Sequence, residues 1–308
     1  MATVEVVRAL SPTDRAAIDG FLSRLTNQLG HHGAAADREC ERLDDHLLLD
    51  FRHGPRPGFV AATAVVDDSM VGYAQASASA RGHVVDSIVD PSADPGLKAE
   101  LLGAILAELP TGGHVTWWAH DDDSDAAAAL GLTDGRRLLQ MRVDLPLDHP
   151  IPHVHTRAFR VGVDEAEWLE VNNAAFDWHD EQGGWDLETV RQREREPWFD
   201  PDGFLVLDVD GVMAGFCWTK LHQATDGSAP IGEIYVIAVH PRHKGTGLGR
   251  ALTLAGIGHL TAAGARACML FVDADNAPAV ALYNALGFRT VHAEQAFTRS
   301  APTDGGTR

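Results

Sequence analysis

Residues Ile231 to Leu252, IGEIYVIAVHPRHKGTGLGRAL, restrict the possible folds more tightly than any other stretch. An apolar, β-branched run (Ile234, Val236, Ile237, Val239) predicts a buried strand. Pro241 ends it, because proline has no N–H to give to a ladder. A glycine-rich turn follows, Lys244-Gly245-Thr246-Gly247-Leu248-Gly249, and leads into a helical stretch from Arg250 to Ala263. A strand that passes through a glycine loop into a helix gathers free backbone N–H groups and the positive end of a helix dipole at one point. Such a point is an anion site suited to phosphate or pyrophosphate. The loop has neither the Gly-Lys-Ser/Thr of a Walker loop nor the Gly-x-Gly-x-x-Gly of dinucleotide-binding folds. Its pattern is basic-x-x-Gly-x-Gly, with Lys244, Gly247 and Gly249.

The rest of the chain repeats this half of itself. Met70-Val71-Gly72-Tyr73 matches Met213-Ala214-Gly215-Phe216, and Val89-Asp90-Pro91 matches Val239-His240-Pro241. Ala129-Leu130-Gly131-Leu132 matches Ala285-Leu286-Gly287-Phe288. An offset of about 150 residues is far longer than a solenoid repeat, so it reads as one α/β domain duplicated in tandem. In the first half the periodicity predicts helices over 11–29, 35–49, 97–109 and 124–130, and strands over 59–66, 70–78, 83–89, 114–119 and 137–145. The second half carries helices over 164–173, 187–196, 250–263 and 278–286, and strands over 204–209, 212–221, 231–239, 267–272 and 290–297. Asp67-Asp68-Ser69 and Asp210-Gly211 are hairpin turns. Three prolines in Leu145 to His155 mark a linker, giving domains at 1–146 and 155–300. Where the second half has its glycine loop, the first has Ser92-Ala93-Asp94-Pro95-Gly96-Leu97. An aspartate there opposes a pyrophosphate, so the first half is expected to be non-catalytic.

Composition narrows the partners. A formal charge of −19 repels nucleic acid and anionic membranes, suits a cationic substrate such as an amine, and requires any phosphate site to be a local exception. No apolar run reaches about 18 residues, and MATVEVVRALSPTDR lacks the pattern of a signal peptide. We therefore expect a cytoplasmic protein that binds neither membrane nor nucleic acid, and we read it as a monomer. The 3 cysteines make no zinc spacing or disulfide framework, and the His31-His32 and His153-x-His155 pairs lack further ligands, so no metal is expected.

Set after a Val-x-Pro strand end, the loop resembles the acetyl-CoA loop of the GNAT-type N-acetyltransferases. Lys244 stands where that family usually has Gln or Arg. The stretch Asn276-x-x-Ala-x-x-Leu-Tyr-x-x-x-Gly-Phe is similar to the last motif of the same superfamily. The resemblance implies an α/β (α+β) fold of two tandem GNAT domains, each with a mixed, mostly antiparallel central sheet flanked by helices. It also implies acetyl-CoA as co-substrate. Its pyrophosphate would lie on Lys244, Gly245, Thr246, Gly247, Leu248, Gly249 and Arg250, its pantetheine along Ile237, Ala238 and Val239, and Asn276 near that arm. Acetyl transfer to an amine needs a base for the ammonium proton, a fixed donor for the thioester oxygen and an acid for the departing thiolate. Glu233 is the candidate base, since a carboxylate set among apolar neighbours is a stronger base than one in water. The N–H near Val239 is the candidate oxyanion donor. Tyr283 is the candidate acid, and its first-half counterpart, near Ala127, cannot donate a proton.

Within the superfamily, NNAAFDWHDEQGGW (Asn172 to Trp185), FCWTK (Phe216 to Lys220) and GEIYVIAV (Gly232 to Val239) resemble the mycothiol synthase family. That resemblance implies acetylation of the cysteinyl amine of cysteinyl-glucosaminyl-inositol (desacetylmycothiol), the last step of mycothiol biosynthesis. It places Glu181, Lys220, Glu233 and Tyr283 against this small-molecule substrate, with Asp37 as an acidic contact from the first half. Two other readings stay open: acetyl transfer to a protein N-terminus or an aminoglycoside amine, and a non-catalytic acetyl-CoA-binding regulatory module.

Overall fold

The computed structural model describes residues 2–30, 45–54, 56–119, 123–148, 155–179, 181–223 and 229–299. They form two units, Met1–Arg137 with Glu294–Arg308, and Leu138–Ala293. The class is the expected one, mixed sheets flanked by helices.

The first unit contains β1 (Thr3–Val7), α1 (Pro12–Gly30), α2 (Asp45–His53), β2 (Val60–Val66), β3 (Ser69–Ala78), β4 (Gly82–Val89), α3 (Leu97–Glu108), β5 (His114–Ala119) and α4 (Ser124–Ala129). Its strands lie in the order β1-β2-β3-β4-β5, followed by β12 (Arg289–Arg299). The second unit contains the second half of β6 (Thr133–Asp144), β7 (Arg157–Ala158), α5 (Glu165–Ala175), α6 (Leu187–Glu194), β8 (Phe204–Val209), β9 (Val212–His222), β10 (Ile231–Val239), α7 (Leu248–Ala262), β11 (Ala267–Asp273) and α8 (Ala277–Ala285). Its order is β6-β11-β10-β9-β8-β7. The β4/β5 and β10/β11 pairs are parallel. The β1/β2, β2/β3, β3/β4 and β5/β12 pairs of the first unit are antiparallel, as are β6/β11, β9/β10, β8/β9 and β7/β8 of the second.

The duplication extends to single hydrogen bonds. Gly72 faces Val89 across β3/β4 as Gly215 faces Val239 across β9/β10. The Leu132 N–H bonds Ala127 O at 2.9 Å, and Phe288 N–H bonds Tyr283 O at 3.0 Å, so Ala127 occupies the position of Tyr283. Asp67 and Asp68 have positive φ (47° and 60°), as do Asp210 and Gly211 (53° and 79°). Positive φ at both central residues is the turn that matches strand twist in a two-residue hairpin.

The boundaries at 146 and 155 do not match these units. Residues 138–144 of β6 pair with β11 of the second unit (Leu270↔Met141), and 295–299 of β12 pair with β5 of the first (Phe297↔Trp117). Alternating side chains specify which face of a strand is buried, whereas the ladder itself is made by main chain and fits either edge. The sequence therefore predicts both strands but not the neighbours with which they pair. Two short strands, β1 and β7, escape the periodicity. Most of the linker, 149–154, and most of the helix expected over 35–49 lie outside the described residues.

The second unit buries two different surfaces. Under α7 and α8 lie aliphatic side chains, among them Leu252, Ile257, Leu260, Leu270 and Leu286. The face under α5 and α6 is aromatic: Trp168, completely buried, touches the rings of Trp185, Phe204, Phe216 and Trp218 at 5.1–5.9 Å between centroids. Each such pair adds about 0.5–1.5 kcal/mol to the burial itself, which makes this face a firm base for the polar groups at its margin.

Candidate active site

The parallel pairing of β10 with β11 ends at Ile234↔Leu270, although β10 continues to Val239 and β11 to Asp273. From Tyr235 onward β10 keeps β9 on one side only, with a bulge between Ile234 and Val236. His240 N–H bonds Ala214 O at 2.8 Å. Antiparallel alternation then directs the N–H groups of Ile237 and Val239 away from β9, into the gap. The second half of β10 thus offers an open backbone edge inside a sheet.

That edge runs into the glycine loop. A 3₁₀ turn, Pro241–His243, is capped by the His240 side chain, whose Nδ1 accepts the Arg242 N–H at 3.1 Å. Gly245 and Gly247 then take φ of +81° and +86°. Left-handed residues of this kind turn successive amides toward one point. The earliest bond at the start of α7 runs from Ala251 N–H to Gly247 O, so the N–H groups of Leu248, Gly249 and Arg250 have no acceptor among the described residues. Lys244 and Arg250 are exposed beside them, with Arg242 and His243 next to Lys244. Free amides, a helix N-terminus and a local cluster of cations in a chain of charge −19 fit a pyrophosphate. α7 starts two residues earlier than expected, because Leu248 and Gly249 already belong to its first turn.

Glu233 is buried and stands directly opposite Lys220 across β9/β10, on the face that α5 and α6 cover. Its Oε2 lies 2.7 Å from Nε2 of His222, two residues beyond Lys220 on the same face. The Lys220 ammonium sits 4.9 Å above the Trp198 ring and 5.6 Å above Tyr235, where cation–π attraction holds it. Tyr235 in turn accepts a hydrogen bond from Nε of the buried Arg193 at 3.0 Å, and the Arg193 guanidinium stacks 3.8 Å over Trp185.

Glu181 belongs to a loop between α5 and α6 that the asparagines ending α5 pin down. Asn172 Nδ2 donates to Gln182 O at 2.8 Å, and Asn173 Nδ2 donates to Trp185 O at 2.8 Å. Asn173 Oδ1 accepts the Trp185 N–H at 3.0 Å, and Trp185 Nε1 donates to Glu181 O at 2.7 Å. His179 Nδ1 accepts the N–H groups of Glu181 and Gln182, which assigns its proton to Nε2, 3.7 Å from Asp273 at the end of β11. A side chain at position 183 would overlap Phe176 O, so Gly183 is required for the chain to close on itself. The motif from Asn172 to Trp185 is thus a preformed loop that holds Glu181 half-buried.

Tyr283 does not meet Glu233. It is buried in the aliphatic layer under α7 and α8, its ring 5.8 Å from Phe288. Its hydroxyl has no hydrogen-bond partner among the described residues, and burial, with the nearby Cys217 and Cys268, raises its pKa and keeps it protonated. Asn276 caps α8, its Oδ1 accepting the Ala279 N–H at 3.3 Å. Cys217 and Cys268 are buried free thiols; burial pushes Cys217 up to about 12 and raises Cys268 as well, so neither is a ready nucleophile. Asp37 lies outside the described residues. Among those residues no group of three or more His, Cys, Asp or Glu is placed to hold a metal ion, and no helix is long and apolar enough to cross a membrane.

The first unit has the same gap without the anion site. Pairing of β4 with β5 stops at Val85↔Trp117 while β4 continues to Val89. In the loop that follows, Asp90 Oδ1 accepts the N–H and hydroxyl of Ser92 (2.9 and 2.6 Å), and Asp94 Oδ1 accepts the Gly96 N–H at 2.7 Å. Asp90 caps its turn as His240 does in the second unit, whereas the Asp94 carboxylate takes the amide of Gly96 at the N-cap of α3, whose counterpart at α7, Gly247, has no acceptor among the described residues.

Sequence reasoning overlooks His222, Tyr235, Arg193, His179 and Asp273. Only His222 left a usable signal: it follows Lys220 at i+2, the spacing that puts two strand residues on one face.

Comparison with known proteins supports one family. Residues 172–288 match the family model described as "Acetyltransferase (GNAT) family". Among solved structures, a tandem GNAT protein from the clavulanic acid biosynthesis pathway superposes with a TM-score of 0.69 at 19% identity, covering 98% of this chain and 100% of that one. A GCN5-related N-acetyltransferase from Sphaerobacter thermophilus gives 0.63 at 22%, covering 96% and 95%. At such identities the likeness is one of fold. In sequence, the mycothiol acetyltransferase of Thermobispora bispora is 42% identical over 83% of this chain and 89% of its own length. That of Parafrankia sp. is 40% identical over 98% and 99%. With identities of this size spanning both units, the chain belongs to the mycothiol acetyltransferases of the GNAT superfamily.

Proposed function

We propose that the protein transfers acetyl from acetyl-CoA to the cysteinyl amine of cysteinyl-glucosaminyl-inositol, completing mycothiol. The observation that carries this reading is the open edge of β10, Tyr235 to Val239, running into a loop whose Leu248, Gly249 and Arg250 amides have no acceptor among the described residues. Those amides, with Lys244 and Arg250, hold the pyrophosphate, the amides of Gly245 and Gly247 support it, and the Ile237–Val239 edge pairs with the pantetheine amides. Acetyl-CoA supplies the activated thioester, and the remaining work falls to the protein. Glu233 takes the ammonium proton. A cysteinyl amine has a pKa near 8, so a modest base suffices. As the C–N bond forms, the Val239 N–H donates to the carbonyl oxygen while it is negative. As the C–S bond breaks, protonated Tyr283 gives its proton to the thiolate, and the second proton that the nitrogen sheds on becoming an amide restores the tyrosine. Transfer is direct, without an acyl-enzyme; among the described residues both thiols, Cys217 and Cys268, are buried and protonated.

Glu181 and Lys220, held by the loop and ring contacts described above, face the substrate's hydroxyl and carbonyl groups. The first unit is non-catalytic: the Asp94 carboxylate takes the Gly96 amide of its loop, and Ala127 replaces the acid. The test is thiol release from acetyl-CoA with cysteinyl-glucosaminyl-inositol beside a panel of peptide and aminoglycoside amines. Turnover with the inositol conjugate alone is expected. Turnover only with another amine refutes the substrate, and tight acetyl-CoA binding without turnover on any amine refutes the enzyme.

A further inference from the structure

We infer that His222 is a positioning residue for Glu233, acting through one carboxylate oxygen so that the other faces the amine. This rests on the reading of Glu233 as the base. β9 and β10 run antiparallel, and residues opposite one another share a face. The register sets Ile231 against His222 and Glu233 against Lys220, so His222 is the diagonal neighbour of Glu233 on the face that carries the Lys220 ammonium. Its Nε2 reaches Oε2 of Glu233 at 2.7 Å, the length of a charge-assisted hydrogen bond. Both side chains are mostly buried, 20% and 9% exposed, so water competes weakly for this contact.

A carboxylate on a strand has free rotation about its last bond unless something fixes it. The other groups near Glu233 are poor candidates. The Lys220 ammonium is stacked on Trp198 and Tyr235, and the Cys268 thiol on β11 is a weak donor whose burial keeps it protonated. The imidazole is rigid, its Nε2–H is directed by the strand, and it leaves Oε1 with its lone pairs for the substrate. His222 thus sets the direction from which Glu233 takes its proton, without touching the reacting atoms.

The experiment compares His222→Leu, His222→Gln, Glu233→Gln and the double variant His222→Leu/Glu233→Gln, each assayed for kcat and for the KM of both substrates, with a thermal melt. The amide of glutamine can place an N–H close to the position of Nε2. We expect His222→Leu to lower kcat roughly 10–100-fold, the scale of a misdirected catalytic group, with the acetyl-CoA KM unchanged. His222→Gln should recover most of that loss, and in the Glu233→Gln background His222→Leu should cost nothing further, since coupled residues are non-additive. A wild-type kcat in His222→Leu overturns the inference, as does a loss that adds fully to that of Glu233→Gln, or one that glutamine does not recover. Full turnover in Glu233→Gln overturns instead the assignment of the base.

Discussion

The two glycines of the anion loop should respond in opposite ways to the same added methyl group. Gly247 has φ +86° and ψ −3°, and a Cβ built there meets nothing within 4 Å. Gly247→Ala therefore causes no clash, but a left-handed alanine costs roughly 1–2 kcal/mol. If the loop keeps its shape, that cost appears as a melting point lower by about 2–8 °C, at roughly 2–4 °C per kcal/mol for a unit of this size. If the loop relaxes to negative φ, the adjacent amide turns out of the cluster. One hydrogen bond to a charged group is then lost, about 1.5–3 kcal/mol. At about 1.4 kcal/mol per tenfold, the acetyl-CoA KM rises roughly 10- to 150-fold. Gly249 lies in the first turn of α7 with ordinary φ, and its added Cβ would meet only Leu282 Cδ2 at 4.0 Å. Alanine there favours the helix by up to about 1 kcal/mol, so Gly249→Ala should melt no lower than the parent and change the KM by less than about threefold, well below one lost hydrogen bond. The assay is initial-rate kinetics in acetyl-CoA at saturating amine, with melts of both variants. A Gly247→Ala variant with neither a lower melting point nor a higher KM, or equal damage from both substitutions, would refute the claim that the loop amides hold the coenzyme.

Tyr283→Phe should lower kcat about 100-fold, the lower range for a lost general acid, while both KM values and the melting point stay put, because the hydroxyl has no partner to lose among the described residues; undiminished kcat would remove Tyr283 from the mechanism. Asn173→Ala deletes both side-chain bonds to the Trp185 backbone, so the amine KM should rise and the acetyl-CoA KM should not, a split visible in the same kinetics. Glu194 is pushed up to about 7, by burial first and then by the neighbouring Glu165 charge. For an acid whose folded value lies above its ordinary 4.5, the native state holds the proton more tightly, so stability falls as pH rises from about 4.5 to 7. Glu194→Gln should accordingly melt above the parent at pH 8 and level with it at pH 4.5; a higher melting point at both would mean the gain is unrelated to titration.

What the sequence determines here is what short stretches of chain determine. The strand, glycine loop and helix from Ile231 onward, the hairpins at Asp67-Asp68 and Asp210-Gly211 and the duplicated turns at Gly131 and Gly287 each depend on a few neighbouring residues. Propensity and spacing report them directly. The absence of an acidic partner for Tyr283 in the first half follows from Ala127 in the same way. Tertiary structure alone decides which main-chain edges meet. Backbone hydrogen bonds carry no side-chain signature, so nothing in 138–144 or 295–299 says that each strand joins the sheet of the other half. The same blindness hides the register of β9 on β10, and with it the contact of His222 with Glu233 and the stack of Lys220 on Tyr235. It hides also why Asn172 and Asn173 stand where they do: their partners are ten and twelve residues on, across a loop whose closure no local propensity records.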